Sequence, residues 1–287
     1  MIHTKLQKPK INISTDKNYK TVKKMVQESY LNTVCAEARC PNIYECWNRK
    51  TATLMILGDT CTRACGFCSV KTGKPTWNDP LEPIRVAQAV KKMGLRHVVI
   101  TSVDRDDLKG DFGASIWADT IKQTKKVNPG CTVEVLTPDF KGFEPALKIV
   151  FDSKPDIFSH NVECVERISK AVRAQANWQR SLGVLEKSIQ HGLRTKTGIM
   201  VGLGEEVEEV KKTMRQVVDL GVQIFTIGQY LQPTKNHLKV EEYISKEQFE
   251  LYKEYGYSIG FKVVESGAVV RSSYHADEQA RLVFNNG

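Results

Sequence analysis

The sequence lacks any long apolar segment. No apolar run approaches the roughly 18 residues of a membrane-spanning helix. The opening residues, MIHTKLQKPKINIS, lack the apolar stretch typical of a secretory signal. These absences predict a cytosolic protein with no membrane association.

Blocks of basic residues are missing as well. Lys and Arg total 42 against 33 Asp and Glu, a net charge of +9, but the lysines are scattered and no basic run exceeds a pair. A scattered excess does not form the basic patch or helix that nucleic-acid binding requires, so we expect no nucleic-acid partner. The surplus charge can still attract an acidic protein domain over long range.

No Pro/Gly/Ser-rich linker and no internal repeat divides the chain, and its 287 residues suit a single α/β barrel with terminal extensions. Short apolar runs alternate with segments of helical period, the pattern of parallel βα units. The predicted strands are 53–57, 97–101, 132–136, 156–159, 195–201 and 223–227, with 261–265 as a further candidate. The predicted helices are 18–31, 81–93, 114–126, 144–151, 182–191, 206–220 and 246–256. The fold class is therefore α/β, a partial (βα)6 barrel.

Cysteine is concentrated in one short part of the chain. Of eight cysteines, six lie between Cys35 and Cys68, where an even spread would place about one. A disulfide framework is disfavoured, because a chain of this length needs no covalent staples and the cytosol would reduce them. The concentration instead indicates a metal site. Cys131 and Cys164 fit no ligand spacing and are expected to be buried structural thiols.

The six clustered cysteines form two groups along the chain. The second group is CTRACGFC, which places Cys61, Cys65 and Cys68 at gaps of three and two residues. It directly follows the predicted strand 53–57, at the edge where parallel α/β folds carry their chemistry. Three thiolates on four irons leave one iron open for a small molecule, much as a catalytic zinc keeps one position free. A zinc site completed by Cys131 or a histidine is the alternative.

This C-x3-C-x2-C spacing after a barrel strand resembles the radical S-adenosylmethionine (radical SAM) superfamily. The resemblance implies a 4Fe-4S cluster whose open iron binds the amino and carboxylate groups of S-adenosyl-L-methionine. It also implies contacts to that cofactor from several side chains and glycines beyond the cysteines. The predicted contacts are Ser102, Asn161, Glu163, Gly198, Gly202 and Phe67, with Asp104 and Asp106 as further candidates for the methionine ammonium. An acidic loop paired with Arg105 is the alternative for the two aspartates. Arg173 is expected on a solvated helix, with pairing to the methionine carboxylate as the alternative.

The first cysteine group is CAEARCPNIYEC, with Cys35, Cys40 and Cys46 at gaps of four and five. Again only three thiolates are local, so a cluster here needs a ligand from elsewhere. Together with RSSY at 271–274, the two groups are similar to the lipoyl synthase family. Further similar stretches are VDRDDL at 103–108, EVLTPDF at 134–140, TKTGIMVGLGE at 195–205 and GQYLQPT at 228–234. Two departures are Thr197, where the family usually has serine, and GAVV at 267–270, where a Gly-Pro-Leu-type phrase is common.

The family resemblance implies an auxiliary 4Fe-4S cluster on Cys35, Cys40, Cys46 and a serine oxygen. Matched to the family motif, the serine is Ser273, with Ser272 as the alternative. An alkoxide is a harder ligand than a thiolate, so a serine-bound iron should detach more easily when the cluster is dismantled. Residues 1–50 would then form an N-terminal lobe carrying the auxiliary cysteines, 51–260 the barrel, and 261–287 an extension carrying the serine.

The resemblance further implies the reaction and its partners. Two sulfur atoms, taken from the auxiliary cluster, would be inserted at C6 and C8 of an octanoyl group bound to a lysine. The implied partners are octanoylated lipoyl carrier domains, namely 2-oxoacid dehydrogenase E2 subunits and the glycine cleavage H protein. A reduced ferredoxin or flavodoxin would supply electrons, and a repair protein would rebuild the cluster. Two alternatives stay open: a biotin-synthase-like sulfur-inserting enzyme, and a zinc-stabilised module that binds RNA.

Overall fold

The main sheet carries its strands in almost the same order as the chain. The structure is a computed structural model that describes residue 9, residues 15–49 and residues 51–285. The helices are α1 (Lys17–Glu28), α2 (Val34–Glu37), α3 (Ile43–Asn48), α4 (Glu82–Met93), α5 (Ala114–Val127), α6 (Glu144–Asp152), α7 (Glu166–Val172), α8 (Trp178–Gln190), α9 (Val207–Asp219), α10 (Lys246–Ser258) and α11 (Ala276–Asn285). The strands are β1 (Asn32–Thr33), β2 (Thr53–Ile56), β3 (Thr60–Cys61), β4 (Lys71–Thr72), β5 (His97–Ser102), β6 (Thr132–Leu136), β7 (Ile157–Ser159), β8 (Thr195–Val201), β9 (Ile224–Gln229) and β10 (Val263–Gly267).

Eight strands form the sheet, in the order β1-β2-β5-β6-β7-β8-β9-β10. β1 runs antiparallel to β2, and every later neighbour is parallel. Parallel neighbours need crossover connections, which the intervening helices supply. In the described part of the chain β1 and β10 are the two edges, so the barrel is open. This confirms the expected α/β partial barrel.

The strands form because their residues suit burial on both faces. β2 (TLMI) is buried along its whole length, and β5 (HVVITS) is buried in all but its last residue, as expected for parallel strands covered by helices. The predicted helices end within two residues of the expected positions, except α1, which ends at Glu28 rather than at 31. Gly94, for example, closes α4 in the left-handed conformation with φ of 64°, which glycine adopts without a steric penalty.

Several elements differ from the sequence prediction, among them the short β1, α2 and α3 of the N-terminal part, which were not predicted. α8 begins at Trp178, not at 182, because the Asn177 side chain caps it by accepting from the Arg180 N–H. α7 and the small β3–β4 sheet carry too few apolar residues to be visible in the sequence. α11 was also missed, and its Ala280 and Val283 pack against the first residues of β7, β9 and β10.

The two lone thiols are buried as predicted. Cys131 lies just before β6 and Cys164 just after β7, and both are free and buried. In the described ranges, no helix is both long and apolar enough to cross a membrane.

Candidate active site

A cavity of about 480 Å³ opens at the carboxyl ends of the barrel strands, where α/β barrels carry their active sites. Its wall brings together residues from the N-terminal helices, the barrel loops and the C-terminal segment. All the predicted cluster ligands line it: Cys35, Cys40, Cys46, Cys61, Cys65, Cys68 and Ser273, together with Ser272. The two cysteine groups and the distant serine therefore share one space.

The first cysteine group lies on α2, α3 and the turn between them. Cys35 is in α2 and Cys46 in α3. Cys40 lies in the turn, where its N–H donates to the Cys35 carbonyl at 3.1 Å. Aromatic packing holds α3 against α1, because the Tyr19 ring lies 5.4 Å from that of Tyr44 and 5.2 Å from that of Trp47. These contacts fix the direction in which α3 presents its cysteine.

The C-terminal segment 269–275 covers this first group. Asn42 Nδ2, just before α3, donates to the Val269 carbonyl at 2.6 Å. Close approach of the segment to β9 requires Gly228, since a Cβ there would lie 2.1 Å from the Val270 carbonyl oxygen. The side chains of Tyr274 and His275 both contact the Glu45 carboxylate, at 3.1 Å. Bonds between positions more than two hundred residues apart therefore close this side of the cavity.

The two serines of the segment point to different parts of the cavity wall. Ser273 Oγ lies 2.7 Å from the hydroxyl of Thr53, at the start of β2. That threonine also faces the Cys35 thiol through its backbone N–H and its hydroxyl. Ser272 Oγ instead accepts from Asn161 Nδ2 at 2.6 Å, on the barrel side. Ser273 is thus the serine that lies beside the first cysteine group.

The second cysteine group lies on β3 and the loop that follows it. Two backbone hydrogen bonds of 3.0 Å fix Gly66 in this loop: its N–H donates to the Val172 carbonyl, and its carbonyl accepts from the Leu238 N–H. The His237 ring contacts the Cys68 carbonyl at 3.0 Å. Cys61 Sγ accepts two backbone N–H bonds at 3.4 Å, from Arg63 and Asp104.

Arg63, inside this loop, is a residue whose role the sequence did not reveal. Its buried guanidinium lies 3.3 Å from Asp104, 2.9 Å from Asp106 and 2.7 Å from Asp139. The Arg63 hydrogen bonds and charge hold the pKa of Asp139 well below its usual range despite its burial. Burial dominates at Asp104, whose pKa rises to about 6. The loop is therefore tied to the barrel by a buried ionic network.

The suggested pairing of Asp104 and Asp106 with Arg105 is wrong. The Arg105 guanidinium donates to both oxygens of Asp107 at 2.9 Å, while the other two aspartates face Arg63.

Arg173 is also placed differently from the prediction. α7 ends at Val172, so Arg173 does not lie on a solvated helix face and is only 7% exposed. Its Nη1 donates to the carbonyls of Asn161 and Val162 at 3.3 and 3.1 Å. It lines the same cavity.

Most of the predicted cofactor contacts lie on the cavity wall. Ser102, Asn161, Glu163, Gly198 and Phe67 line it. In the described structure, Ser102 Oγ and Asn161 Oδ1 are buried without a hydrogen-bond partner, so a ligand with ammonium or hydroxyl groups can satisfy them. Burial raises the pKa of Glu163.

Gly202 does not belong to that wall as described. Its φ is +93°, and an added Cβ would lie 2.1 Å from Gln229 Nε2 and 2.4 Å from the Glu242 carbonyl. Close packing in a turn explains this glycine. At Gly198 a Cβ would lie 2.1 Å from Thr226 Oγ1, so packing constrains that position too.

The donor set fits iron–sulfur clusters. Burial raises the pKa of Cys35 to about 11 and that of Cys46 to about 12 in the first group. It raises the pKa of Cys65 to about 12 and that of Cys68 to about 11 in the second. Metal-free, these thiols are protonated at neutral pH, and binding iron releases their protons. Thiolates are the ligands that iron–sulfur clusters take.

The alternative of a zinc site that Cys131 completes does not fit the fold. Among the residues that the structure describes, no three His, Cys, Asp or Glu side chains are placed to hold one metal ion. Cys131 precedes β6 and so lies at the amino end of the sheet, whereas Cys61 lies beyond the carboxyl end of β2. It therefore cannot complete a site with the second group.

Comparison with known proteins gives the family. The model of the radical SAM superfamily matches residues 55–217. A lipoyl synthase of Rubrobacter xylanophilus is 56% identical over 272 residues, covering 94% of this chain and 84% of the relative. A mitochondrial lipoyl synthase of Nematostella vectensis is 52% identical over 275 residues, covering 94% of each chain. This chain belongs to the lipoyl synthase family.

Solved structures agree with the fold of this lipoyl synthase family member. Streptococcus suis SuiB bound to S-adenosylmethionine matches with a TM-score of 0.60 and 12% identity, over 90% of this chain and 58% of SuiB. Methylornithine synthase (PylB) matches with a TM-score of 0.56 and 11% identity, over 94% of this chain and 87% of that chain. At such identities the likeness shows the fold alone.

The two departures from the usual lipoyl synthase sequence are accommodated by the packing. Thr197 is buried, and its hydroxyl donates to the His160 carbonyl at 2.7 Å, a bond that serine would also make. In the GAVV phrase, Val270 is buried, with its carbonyl beside Gly228. Neither departure replaces a predicted ligand.

Proposed function

We propose that this member of the lipoyl synthase family inserts sulfur at C6 and C8 of an octanoyl group amide-linked to a lysine of a carrier domain. One hydrogen leaves each of the two carbons, and one carbon–sulfur bond forms at each. The observation that supports this best is the single cavity lined by both cysteine groups and by the C-terminal serine. A sulfur donor and a radical source can then face the same substrate chain.

The second group, Cys61, Cys65 and Cys68, is the proposed holder of the resident 4Fe-4S cluster. With S-adenosyl-L-methionine bound, that cluster supplies the radical chemistry that removes hydrogen from an unactivated carbon. The protein orients the cofactor. Ser102, Asn161 and Glu163 are proposed to contact its polar groups, and Gly198 to border its adenine. Phe67, beside Cys68, covers the site and excludes water, which protects a reactive intermediate from side reactions.

The first group, Cys35, Cys40 and Cys46, with Ser273, is proposed to hold the cluster that is consumed as the sulfur substrate. Ser273 is preferred to Ser272 because it contacts Thr53, which faces Cys35, whereas Ser272 is bonded to Asn161. Two 4Fe-4S clusters are thus proposed per chain. The chain is accordingly divided into a lobe (1–50), a barrel (51–260) and an extension (261–287), of which residues 1–8, 10–14, 50 and 286–287 lie outside the described residues.

The proposed partners follow from the substrate. These are octanoylated E2 subunits and glycine cleavage H protein, a reduced ferredoxin or flavodoxin, and a repair protein that rebuilds the consumed cluster. The net charge of +9 favours docking of an acidic carrier domain. The cytoplasm is the proposed compartment, because it keeps these thiols reduced.

The proposal is tested with an octanoylated carrier peptide, reductant and S-adenosyl-L-methionine, and the product is analysed by mass spectrometry. The peptide should gain two sulfurs as a dithiol, and should lose two hydrogens when that dithiol is oxidised to the ring disulfide during work-up. Alanine replacement of Cys35, Cys40 and Cys46 should abolish this product but leave cofactor cleavage intact. Replacement of Cys61, Cys65 and Cys68 should abolish both.

Two 4Fe-4S clusters give the parent about eight iron atoms per chain. Each of the two triple-alanine variants should retain about half of that iron. An unchanged peptide during active cofactor cleavage would contradict the substrate, as a biotin-synthase-like enzyme would give. A colourless protein with stoichiometric zinc would contradict the enzyme altogether.

A further inference from the structure

Thr53 lies between the two ends of the proposed auxiliary ligand set. It is the first residue of β2 and only 4% exposed. Its Oγ1 is 2.7 Å from Ser273 Oγ, across 220 positions of sequence. The Cys35 thiol faces both the N–H and the hydroxyl of the same residue. One buried hydroxyl therefore donates to the C-terminal serine on the side of β2 that faces the first cysteine of the N-terminal lobe.

The Ser273 side chain depends on this contact. In the part of the chain that the structure describes, Thr53 is the only hydrogen-bond partner of the Ser273 hydroxyl. Its neighbours are fixed by other residues: Ser272 by Asn161, and Tyr274 by Glu45. The segment can therefore stay in place while the orientation of the Ser273 hydroxyl is lost.

Ligand chemistry fixes the direction of the hydrogen bond. A serine that binds iron has lost its proton and can only accept hydrogen bonds. The Thr53 hydroxyl must then donate, and a bond to an ionised acceptor is roughly twice as strong as a neutral one. Such a bond orients the serine oxygen toward its place in the ligand set.

We propose that Thr53 is a positioning residue whose hydroxyl holds Ser273 in its ligand orientation. This inference rests on the proposed function, in which Ser273 closes the auxiliary cluster. Without the Thr53 hydroxyl, the serine-bound iron should be held less firmly than it is in the parent.

The role of the hydroxyl is separable from the fold. Thr53 pairs with Val99 in the parallel ladder through its backbone. Valine has nearly the same shape and favours strands. Thr53→Val should therefore leave the barrel intact, Thr53→Ser should restore the donor, and the smaller Thr53→Ala provides a second hydroxyl-free variant.

The experiment uses the chain with Cys61, Cys65 and Cys68 replaced by alanine, so that only the auxiliary cluster is present. After anaerobic reconstitution, the rate of loss of the first iron to a chelator is measured, with EPR of the resulting three-iron cluster. Thr53→Val should lose this iron about tenfold faster than its parent, the order expected for one hydrogen bond to a charged group. Thr53→Ser should return to the parent rate.

The control is Thr120→Val. Thr120 is a fully buried threonine of α5 whose hydroxyl donates to the Ile116 carbonyl, and its loss should not change the rate. If Thr53→Val and Thr53→Ala keep the parent rate while Ser273→Ala loses iron quickly, the role of Thr53 is wrong and serine ligation stands. If Ser273→Ala also keeps the parent rate and spectrum, the proposed ligand itself fails. Equal acceleration in Thr120→Val would overturn the inference too.

Discussion

The two cysteine regions are held in place by different kinds of interaction. The first region consists of residues 33–49, the C-terminal segment 269–275 and the first turn of α11. Hydroxyl and amide hydrogen bonds and half-exposed ion pairs close it. The second region, residues 59–73, is held by Arg63, whose guanidinium is buried among three carboxylates of the barrel loops. One region is tied by hydrogen bonds and half-exposed ion pairs between distant parts of the chain, the other by buried charges within the barrel.

The difference matches the proposed fates of the two clusters. Half-exposed ion pairs such as Arg49 with Glu278 contribute little each, about 0–1 kcal/mol, so separating the C-terminal segment costs less than opening the barrel. Breaking a buried ion pair by removing one partner costs about 3–5 kcal/mol. A consumed cluster needs a region that can open for repair, and a resident cluster needs one that stays closed.

The largest effect is expected from Arg63→Gln. It removes the buried guanidinium that Asp104, Asp106 and Asp139 share, leaving only the partly exposed Arg180 beside Asp139 and Lys141 beside Asp106, and should lower the free energy of unfolding by about 3–5 kcal/mol. Urea unfolding measures this. The control is Arg167→Gln, whose exposed guanidinium pairs with Glu209 at 2.7 Å, and which should change stability by less than about 1 kcal/mol. Equal effects of the two substitutions would remove the proposed distinction between the regions.

Arg63 also shows which contacts the sequence does not predict, namely ion pairs between distant loops. It lies within CTRACGFC, yet nothing in that motif tells that it pairs with positions 43 and 76 residues away. Apolar patterns predict strands and helices because burial is local and periodic. An ion pair depends on which loops the fold brings together, so Arg63 and the burial of Arg173 became visible only in three dimensions.

The barrel itself was largely predictable. Alternating apolar runs and helical segments predicted all six core strands within a few residues. Runs of β-branched residues such as HVVIT favour strands over helices. Cysteine spacing and the RSSY motif indicated the cavity residues, because ligand chemistry restricts residue type. The extent of α11 was not predictable, since only its contacts with β7, β9 and β10 explain its position.

As the pH falls, the barrel around the second region should lose stability before the first region does. Burial, together with the charges of Arg173 and Arg63, lowers the pKa of His160 to about 4 from 6.5. The neutral ring is held by the Thr137 carbonyl at 2.9 Å and Ser181 Oγ at 3.0 Å. In the unfolded chain the His160 imidazole binds a proton near pH 6.5, whereas in the native protein the ring stays neutral down to about pH 4. The stabilisation is therefore present above that pH and declines as pH falls toward 4.

Between pH 7 and pH 5 this histidine should lower the free energy of unfolding by about 2 kcal/mol. His160→Gln should remove that part of the pH dependence, which anaerobic unfolding curves at several pH values will measure. His191→Gln is the control, since His191 is a partly exposed histidine beside Asp152. If the pH slopes of His160→Gln and the parent coincide, burial of the ring does not govern the acid sensitivity.

The smallest effect on stability is expected from Arg49→Gln in the first region. Arg49 Nη2 contacts Glu278 at 2.5 Å and Asp277 at 3.5 Å, joining α3 to α11. Global stability should change by less than about 1 kcal/mol, whereas limited proteolysis of the C-terminal segment should become up to about fivefold faster, the population shift that such an energy allows. In 1 M salt, where screening acts within about 3 Å, the parent should approach the variant. If salt does not change the proteolysis rate of the parent, these charges do not hold the segment closed. Hydrogen bonds such as that between Asn42 and Val269 would then hold it.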